Sequence, residues 1–318
     1  MKIDKAYLRK LPKVLITTFK GFSDDKGLKL SASLAYYTVF SIGPLLLLLM
    51  SLASIFFGQP ASEGKIFNEL NGILGSSAAK QVQDIIRNVQ VSGKTNFALV
   101  ISIITLVVGA TSLFVEVQDS LNMIWKLKAK PKRGWVAFLR NRLLSSSLII
   151  SLGFLLIVSL VVNGIIAALM NALRQYFQSS FTEVLLIVIN VIVTFLVISV
   201  LFGIIFKFLP DAKIKWKHVR VGAIFTALLF MIGRYVIGLY IQFSATESIY
   251  GAAGSIVVLL VWIYYSSVIL YLGAEFTQVY TEAYGGKIQP AEYAVHVQQT
   301  EVEKEVSNLP PQHQELKK

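Results

Sequence analysis

Glu116 and Asp119 stand three residues apart, a spacing that sets two carboxylates on one face of a helix. Such a pair can help to hold a divalent metal ion, and it is the carboxylate pair in the chain worth testing for that role. An ordinary charged helix surface has the same spacing and is the commoner origin of it. The histidines add no support: His218 falls in a basic stretch, His296 and His313 lie toward the C-terminal end, and no metal-ligand spacing links them. The absence of cysteine excludes disulfides, thiol nucleophiles and thiolate metal sites. Phosphodiester hydrolysis needs a metal-holding cluster or an acid–base pair, and the sequence assembles neither. No catalytic residue, metal or cofactor is therefore expected, and the chain is not expected to be an enzyme.

A different chemistry is raised by "LLFMIGRYVIGLY", Leu228 to Tyr240, in which Arg234 interrupts an apolar run. Of 318 residues 55% are hydrophobic and 15% charged, the mean hydropathy is +0.64, and the apolar residues come in runs. This composition describes a polytopic membrane protein, and the fold class expected is all-α. Six segments are long enough to cross a hydrocarbon layer about 30 Å thick: Leu30–Phe57, Phe97–Phe114, Leu143–Leu169, Val184–Leu209, Val221–Phe243 and Gly251–Tyr271, the last continuing toward Tyr280. Pro44 predicts a kink in the first.

The connections orient these segments. Lys2, Lys5, Arg9, Lys10, Lys13, Lys20, Lys26 and Lys29 precede the first; Lys126, Lys128, Lys130, Lys132, Arg133, Arg140 and Arg142 fill the second connection; Lys213, Lys215, Lys217 and Arg220 fill the fourth. All three basic stretches fall on one side, so both termini are expected in the cytoplasm. The net charge of +12 follows from the same bias, as does the Lys126–Arg133 loop, and neither calls for a nucleic-acid partner. Membrane lipid is the expected partner.

Three regions are expected outside the bilayer. Residues 1–29 carry Tyr7, Leu8, Leu11, Val14, Leu15 and Phe19 at helical spacing among basic residues, the pattern of an amphipathic interfacial helix and also of a plain solvated helix start. No cleaved signal peptide is read there. Within the domain 30–280, the external connection of about 58–96 repeats helical spacing twice around Gly75-Ser76-Ser77 and predicts a helical hairpin. Residues 281–318, rich in Gln, Glu, Lys and Pro, are expected to be disordered.

Polar residues at membrane depth form the candidate site. Arg234 lies roughly 20 Å from the cytoplasmic end of its helix at about 1.5 Å per residue, and a guanidinium facing lipid there costs several kcal/mol. It is expected to face protein, water or an anionic ligand. Asn190 reaches a similar depth on the fourth segment, and Tyr264 and Tyr265 on the sixth offer hydroxyls or a ring face. At the inner edge Glu116, Asp119, Lys207 and Glu275 form a candidate gate, with Lys207 a candidate partner for Glu275. Position alone equally fits interfacial anchoring by charges at helix ends. Gly251, Gly254 and Ser255 fit close helix contact, and Tyr36 and Tyr37 interfacial anchors.

The stretches "LSASLAYYTVFSIGPLLLLL", "GATSLFVEVQDSLNMIW", "FKFLPDAKIKWKHVRVGAIFTALLF", "GRYVIGLYI" and "YGAAGSIVVLLVWIYYSSVILYLGAEFTQVY" resemble, in order, the signature stretches of the YihY/BrkB family of bacterial inner-membrane proteins, once also labelled ribonuclease BN. The resemblance covers roughly Tyr7 to Tyr284 and implies a multi-pass cytoplasmic-membrane protein with no transferable catalytic residue. The expected function is transport of an envelope-related, anionic lipid or sugar-acid substrate, with a membrane scaffold as the alternative and a ribonuclease last. No P-loop is present, so direct drive by ATP is not expected.

Overall fold

The computed structural model describes residues 5–39, 112–130, 180–243 and 254–298, and they are mostly helical. Helix α1 is Lys5–Asp24, α2 covers residues 27–39 and α3 residues 112–124. Ser180–Phe208 forms α4, Trp216–Phe243 α5 and Gly254–Ala283 α6. The described residues also hold four short strands: β1 Leu127–Ala129, β2 Ala212–Lys213, β3 Gln289–Pro290 and β4 Ala294–His296.

Among the described residues three stretches are long and apolar enough to cross a membrane: Val188–Phe208 in α4, Trp216–Ile237 in α5 and Leu259–Ala283 in α6. They overlap the fourth, fifth and sixth expected segments, the fifth beginning five residues earlier and the sixth eight residues later than expected. Leu143–Leu169, the hairpin at 58–96 and most of the first two expected segments, Pro44 included, lie outside the described residues.

The three long helices differ in what they bury. In the apolar stretch of α6 67% of residues are buried, against 11% in that of α4. Helix α6 is thus a core helix, with α1 and α5 packed against it, whereas α4 packs on α5 from the rim. Val188, Ile192, Leu196 and Val200 of α4 remain exposed. A row of uncovered β-branched and leucine side chains suits contact with lipid tails, which are as apolar as they are.

Local chemistry sets the helix ends. Helix α4 stops at Phe208 because Pro210 disfavours helical backbone at Leu209. Helix α6 stops at Ala283, where Gly285 adopts φ +70° and the Gly286 N–H donates to the Thr281 carbonyl at 2.7 Å. That is a Schellman-type cap, and it needs the left-handed backbone that glycine adopts without strain. Lys26 and Lys126 take positive φ, 56° and 54°, at the turns that end α1 and α3.

The strands add two small sheets to a mostly helical fold, and two of the four lie within the 281–318 region expected to be disordered. Antiparallel β1 and β4 pair Leu127 with His296, Lys128 with Val295 and Ala129 with Ala294. Antiparallel β2 and β3 pair Ala212 with Pro290 and Lys213 with Gln289. The chain after α6 therefore folds back and closes over the ends of α3 and α4. Its composition is too polar for a core of its own, but here two preformed turns offer it backbone partners. Residues beyond 298, His313 among them, lie outside the described residues.

Candidate functional site

Asp211 organises the end of the bundle where these strands lie. It follows the proline that stops α4 and is 3% exposed. Its Oδ1 accepts hydrogen bonds from Gln118 Nε2 at 3.0 Å and the Tyr293 hydroxyl at 2.8 Å, while Oδ2 accepts from Asn122 Nδ2 at 2.8 Å. Its backbone N–H donates to Asn122 Oδ1 at 2.8 Å, and its carbonyl accepts from the Ala291 N–H at 2.9 Å. One aspartate thus joins α3, the α4–α5 turn and the segment after α6. A buried carboxylate is tolerable because its acceptor positions are filled by aligned donors.

Two further ties surround this hub. Trp125 Nε1, at the end of α3, donates to the Ala274 carbonyl of α6 at 3.1 Å. Lys126 forms an ion pair with Asp25 at the end of α1.

The four gate candidates do not assemble into one network. Glu275 is 5% exposed and lies against Gly21 of α1, where a Cβ would collide with its Oε1. Its Oε2 is buried without a hydrogen-bond partner among the described residues, and the charges nearest to act on it include Asp25 and Lys126. Lys207, the candidate partner for Glu275, donates from Nζ to the Ile214 carbonyl at 2.5 Å, with Nζ 6.0 Å from the centre of the Trp216 ring. Its stem folds back over the turn that follows its own helix, which directs it away from α1. On α3, Glu116 is half-buried and Asp119 exposed. Partial desolvation, then the Glu116 and Asp211 carboxylates, push the Asp119 carboxyl above the ordinary aspartate range. Among the described residues no three His, Asp or Glu side chains are grouped to hold a metal ion.

The membrane-depth candidates are only partly brought together. Arg234 is half-buried on α5. The preceding residue, Gly233, leaves room for Tyr265 of α6 to lie directly on the α5 backbone, and the Tyr265 hydroxyl donates to the Leu229 carbonyl at 3.1 Å. Tyr265 therefore packs on the residue that precedes Arg234, with its hydroxyl spent on a helix carbonyl. Tyr264 packs with a small apolar cluster that includes Ala35, Ile237 and Trp262. Asn190 is exposed on α4 and accepts a hydrogen bond from Thr194 at 3.3 Å within its own helix.

Sequence reasoning passed over the hub itself. Asp211 stands in "FLPDAKIKW", and neither it nor Asn122 or Tyr293 is among the residues that spacing and membrane depth mark. A usable signal existed: an acidic residue right after a helix-stopping proline, inside a run of lysines. His218, read as part of a basic loop, is in fact 3% exposed in the first turn of α5, with its ring 6.2 Å from that of Tyr280.

Long apolar helices anchored at one end by a hydrogen-bonded polar junction define a membrane protein. This chain belongs to the family described as virulence factor BrkB, which matches residues 18–296, from the last turns of α1 to the end of β4. Curated relatives carry the name UPF0761 membrane protein. The one from Pseudoalteromonas atlantica is 28% identical over 274 residues, covering 85% of this chain and 87% of the relative. The one from Pseudomonas aeruginosa strain LESB58 is 27% identical over 257 residues, 80% of this chain and 59% of the relative. A shorter match, 40% identical over 75 residues, links 23% of this chain to 25% of the protein from Tolumonas auensis. This chain thus spans well under two thirds of the Pseudomonas and Tolumonas relatives. No solved structure matches it.

Proposed function

We propose that the chain is a multi-pass protein of the bacterial inner membrane, with six spans and both termini in the cytoplasm, that moves an anionic, envelope-related lipid or sugar acid across the bilayer. The reading calls on no cofactor, no nucleic acid and no covalent chemistry. In it Arg234 binds the anionic group, Asn190, Tyr264 and Tyr265 are candidate further contacts along the path, and Glu116, Asp119, Lys207 and Glu275 each act on access from the inner edge.

The observation that carries it is the placement of Arg234. At about 1.5 Å per residue Arg234 lies roughly 27 Å from the start of α5 at Trp216 and roughly 14 Å from its end at Phe243. A charge at that depth on a half-buried position is costly to keep, by about 3 kcal/mol on insertion scales, and an anionic substrate offsets the cost with charge-assisted hydrogen bonds.

The test compares the wild type with Arg234→Gln and Arg234→Lys in proteoliposomes. Thermal unfolding is measured beside flux of a fluorescent anionic phospholipid and of a sugar acid. The reading expects Arg234→Gln to insert normally, keep its unfolding midpoint and lose at least tenfold in flux. A Gln variant that is stable and fully active removes Arg234 from binding. Parallel loss of stability and flux in the Gln variant, with partial recovery in Arg234→Lys, assigns it to helix packing. Absence of flux in the wild type favours the scaffold.

A further inference from the structure

The end of the bundle holds a second basic feature that the transport reading does not use. A cavity of about 420 Å³ opens between the start of α5 and the turn after α6, lined among the described residues by Lys213, Lys215, Lys217 and His218 on one side and by Gly285, Gly286, Lys287 and Gln289 on the other. Lysines on a cytoplasmic loop follow from the orientation bias alone. Free of other demands, they would spread apart into water to reduce mutual repulsion. Here four, from two separate segments, converge on one concavity. Only Lys213 has a carboxylate partner among the described residues, Glu292 at 3.0 Å, and that pair is exposed.

His218 is the independent sign of a ligand. It is 3% exposed, it lines the cavity, and neither ring nitrogen has a hydrogen-bond partner among the described residues. Buried polar nitrogens are nearly always paired, because desolvation without a partner is costly. The ring is held by packing rather than by polar contacts: Tyr280 meets it edge-on at 6.2 Å, and Tyr280 in turn stacks on Phe276 at 5.8 Å. Gly286 closes in from the other side, with the position of a Cβ only 2.6 Å from His218 Nε2. The cavity also sits at the N-terminus of a 28-residue helix with no acidic residue in its first turn. The positive end of the helix dipole is therefore unopposed by its own sequence.

We propose that this cavity is a binding site for a phosphoryl group, taken from a phosphomonoester or phosphodiester. Lys215, Lys217 and Lys287 supply charge, an imidazole N–H of His218 donates to a phosphoryl oxygen, and the start of α5 supplies the field. The volume exceeds that of a bare phosphate and leaves room for the alcohol that carries it, within the range of small-ligand pockets. The site stands apart from Arg234, so the proposal does not rest on the transport reading.

The experiment uses the full chain in nanodiscs of phosphatidylcholine. One arm titrates glycerol 3-phosphate, with glycerol and sodium chloride as blanks. The other adds phosphatidylglycerol to the disc and counts retained lipid by native mass spectrometry. The variants are Lys215→Gln/Lys287→Gln, which leaves the buried His218 in place, and His218→Gln. The charge-matched control is Lys20→Gln/Lys29→Gln, exposed positions outside the cavity. The expected result is saturable binding in one of the arms, weakened at least tenfold by Lys215→Gln/Lys287→Gln and at least threefold by His218→Gln, with the control within twofold of wild type. Binding of glycerol 3-phosphate identifies a soluble phosphate ester as the source, and retention of phosphatidylglycerol alone identifies a lipid headgroup. Failure of both arms overturns the proposal, as does an equal loss in the control pair.

Discussion

Gly222 and Thr277 face one another across the crossing of α5 and α6, so closely that a Cβ on the glycine would overlap the threonine hydroxyl. Gly273 and Thr226 repeat the contact one turn further along, with the helices exchanged. Thr226 Oγ1 donates to the Gly222 carbonyl and Thr277 Oγ1 to the Gly273 carbonyl, both at 2.7 Å. Each hydroxyl is therefore satisfied inside its own helix, and its bulk fills the space that the facing glycine leaves. Between helices in lipid, where burying a leucine gains little over leaving it in hydrocarbon, such close backbone approach is the main source of attraction. The stacked rings of Phe225 and Phe276, 3.9 Å apart, lie in the same crossing.

Adding a single methyl at this crossing is expected to separate the helices. Gly222→Ala should lower stability by about 2 kcal/mol, the usual cost of overpacking a tight contact. Leu228→Ala, at a position on α5 that is 52% exposed, should change it by less than about 0.5 kcal/mol. Thermal unfolding in detergent, compared across the two variants, reads the difference. A Gly222→Ala protein as stable as the wild type would show that α5 and α6 do not depend on this approach.

The Asp211 hub makes a second prediction. Asp211→Ala leaves Gln118, Asn122 and Tyr293 without their acceptor and should cost at least about 3 kcal/mol, whereas Tyr293→Phe removes one bond to a charged group and should cost about 1.5–3 kcal/mol. Because the hub pins the segment after α6, both variants should also expose the chain near Lys287 to trypsin before the bundle unfolds. Digestion followed by mass spectrometry measures the order of cleavage. If the Tyr293→Phe segment is cut no faster than in the wild type, the strands rather than the hub hold it.

What could be read in the sequence follows from which signals are local. The long helices were legible because an apolar run of about twenty residues has one physical solution in a bilayer. The helix of residues 5–24 was legible from its spacing, yet the face it packs inward runs through Val14, Thr18, Gly21 and Phe22, while Phe19, counted with the apolar stripe, is 59% exposed. The strand at Ala294–His296 lay within a segment whose average composition is polar. Its signal was a brief alternation, Tyr293, Val295 and Val297, too short to stand out and decisive only because β1 supplies a partner. The same holds at the site. Arg234 was conspicuous because a charge in an apolar run is conspicuous, whereas Asp211 among lysines looked like loop chemistry, and its importance comes from three donors that reach it across 82 to 93 residues of sequence. Glu275 is legible as an acid in the apolar sixth segment, but its burial against Gly21 across the interface is invisible without the fold.

Orientation yields the last prediction. The basic turn at Lys126, the lysines around β2 and the end of α1 at Asp25 all meet at one end of the bundle, joined by the Lys126–Asp25 ion pair and by the two small sheets. Positive charge that is spread over three separate stretches of sequence is thus gathered at one pole, and the positive-inside bias leads us to expect that pole in the cytoplasm. The chain contains no cysteine, so each introduced thiol reports alone. Ala129→Cys, exposed in β1, should resist a membrane-impermeant maleimide in intact cells and react after permeabilisation. Ser77→Cys, in the connection expected outside the cell, should react in both conditions. Labelling of Ala129→Cys in sealed cells would invert the orientation, and with it the side from which the inner-edge charges and the lysine-lined cavity meet their ligands.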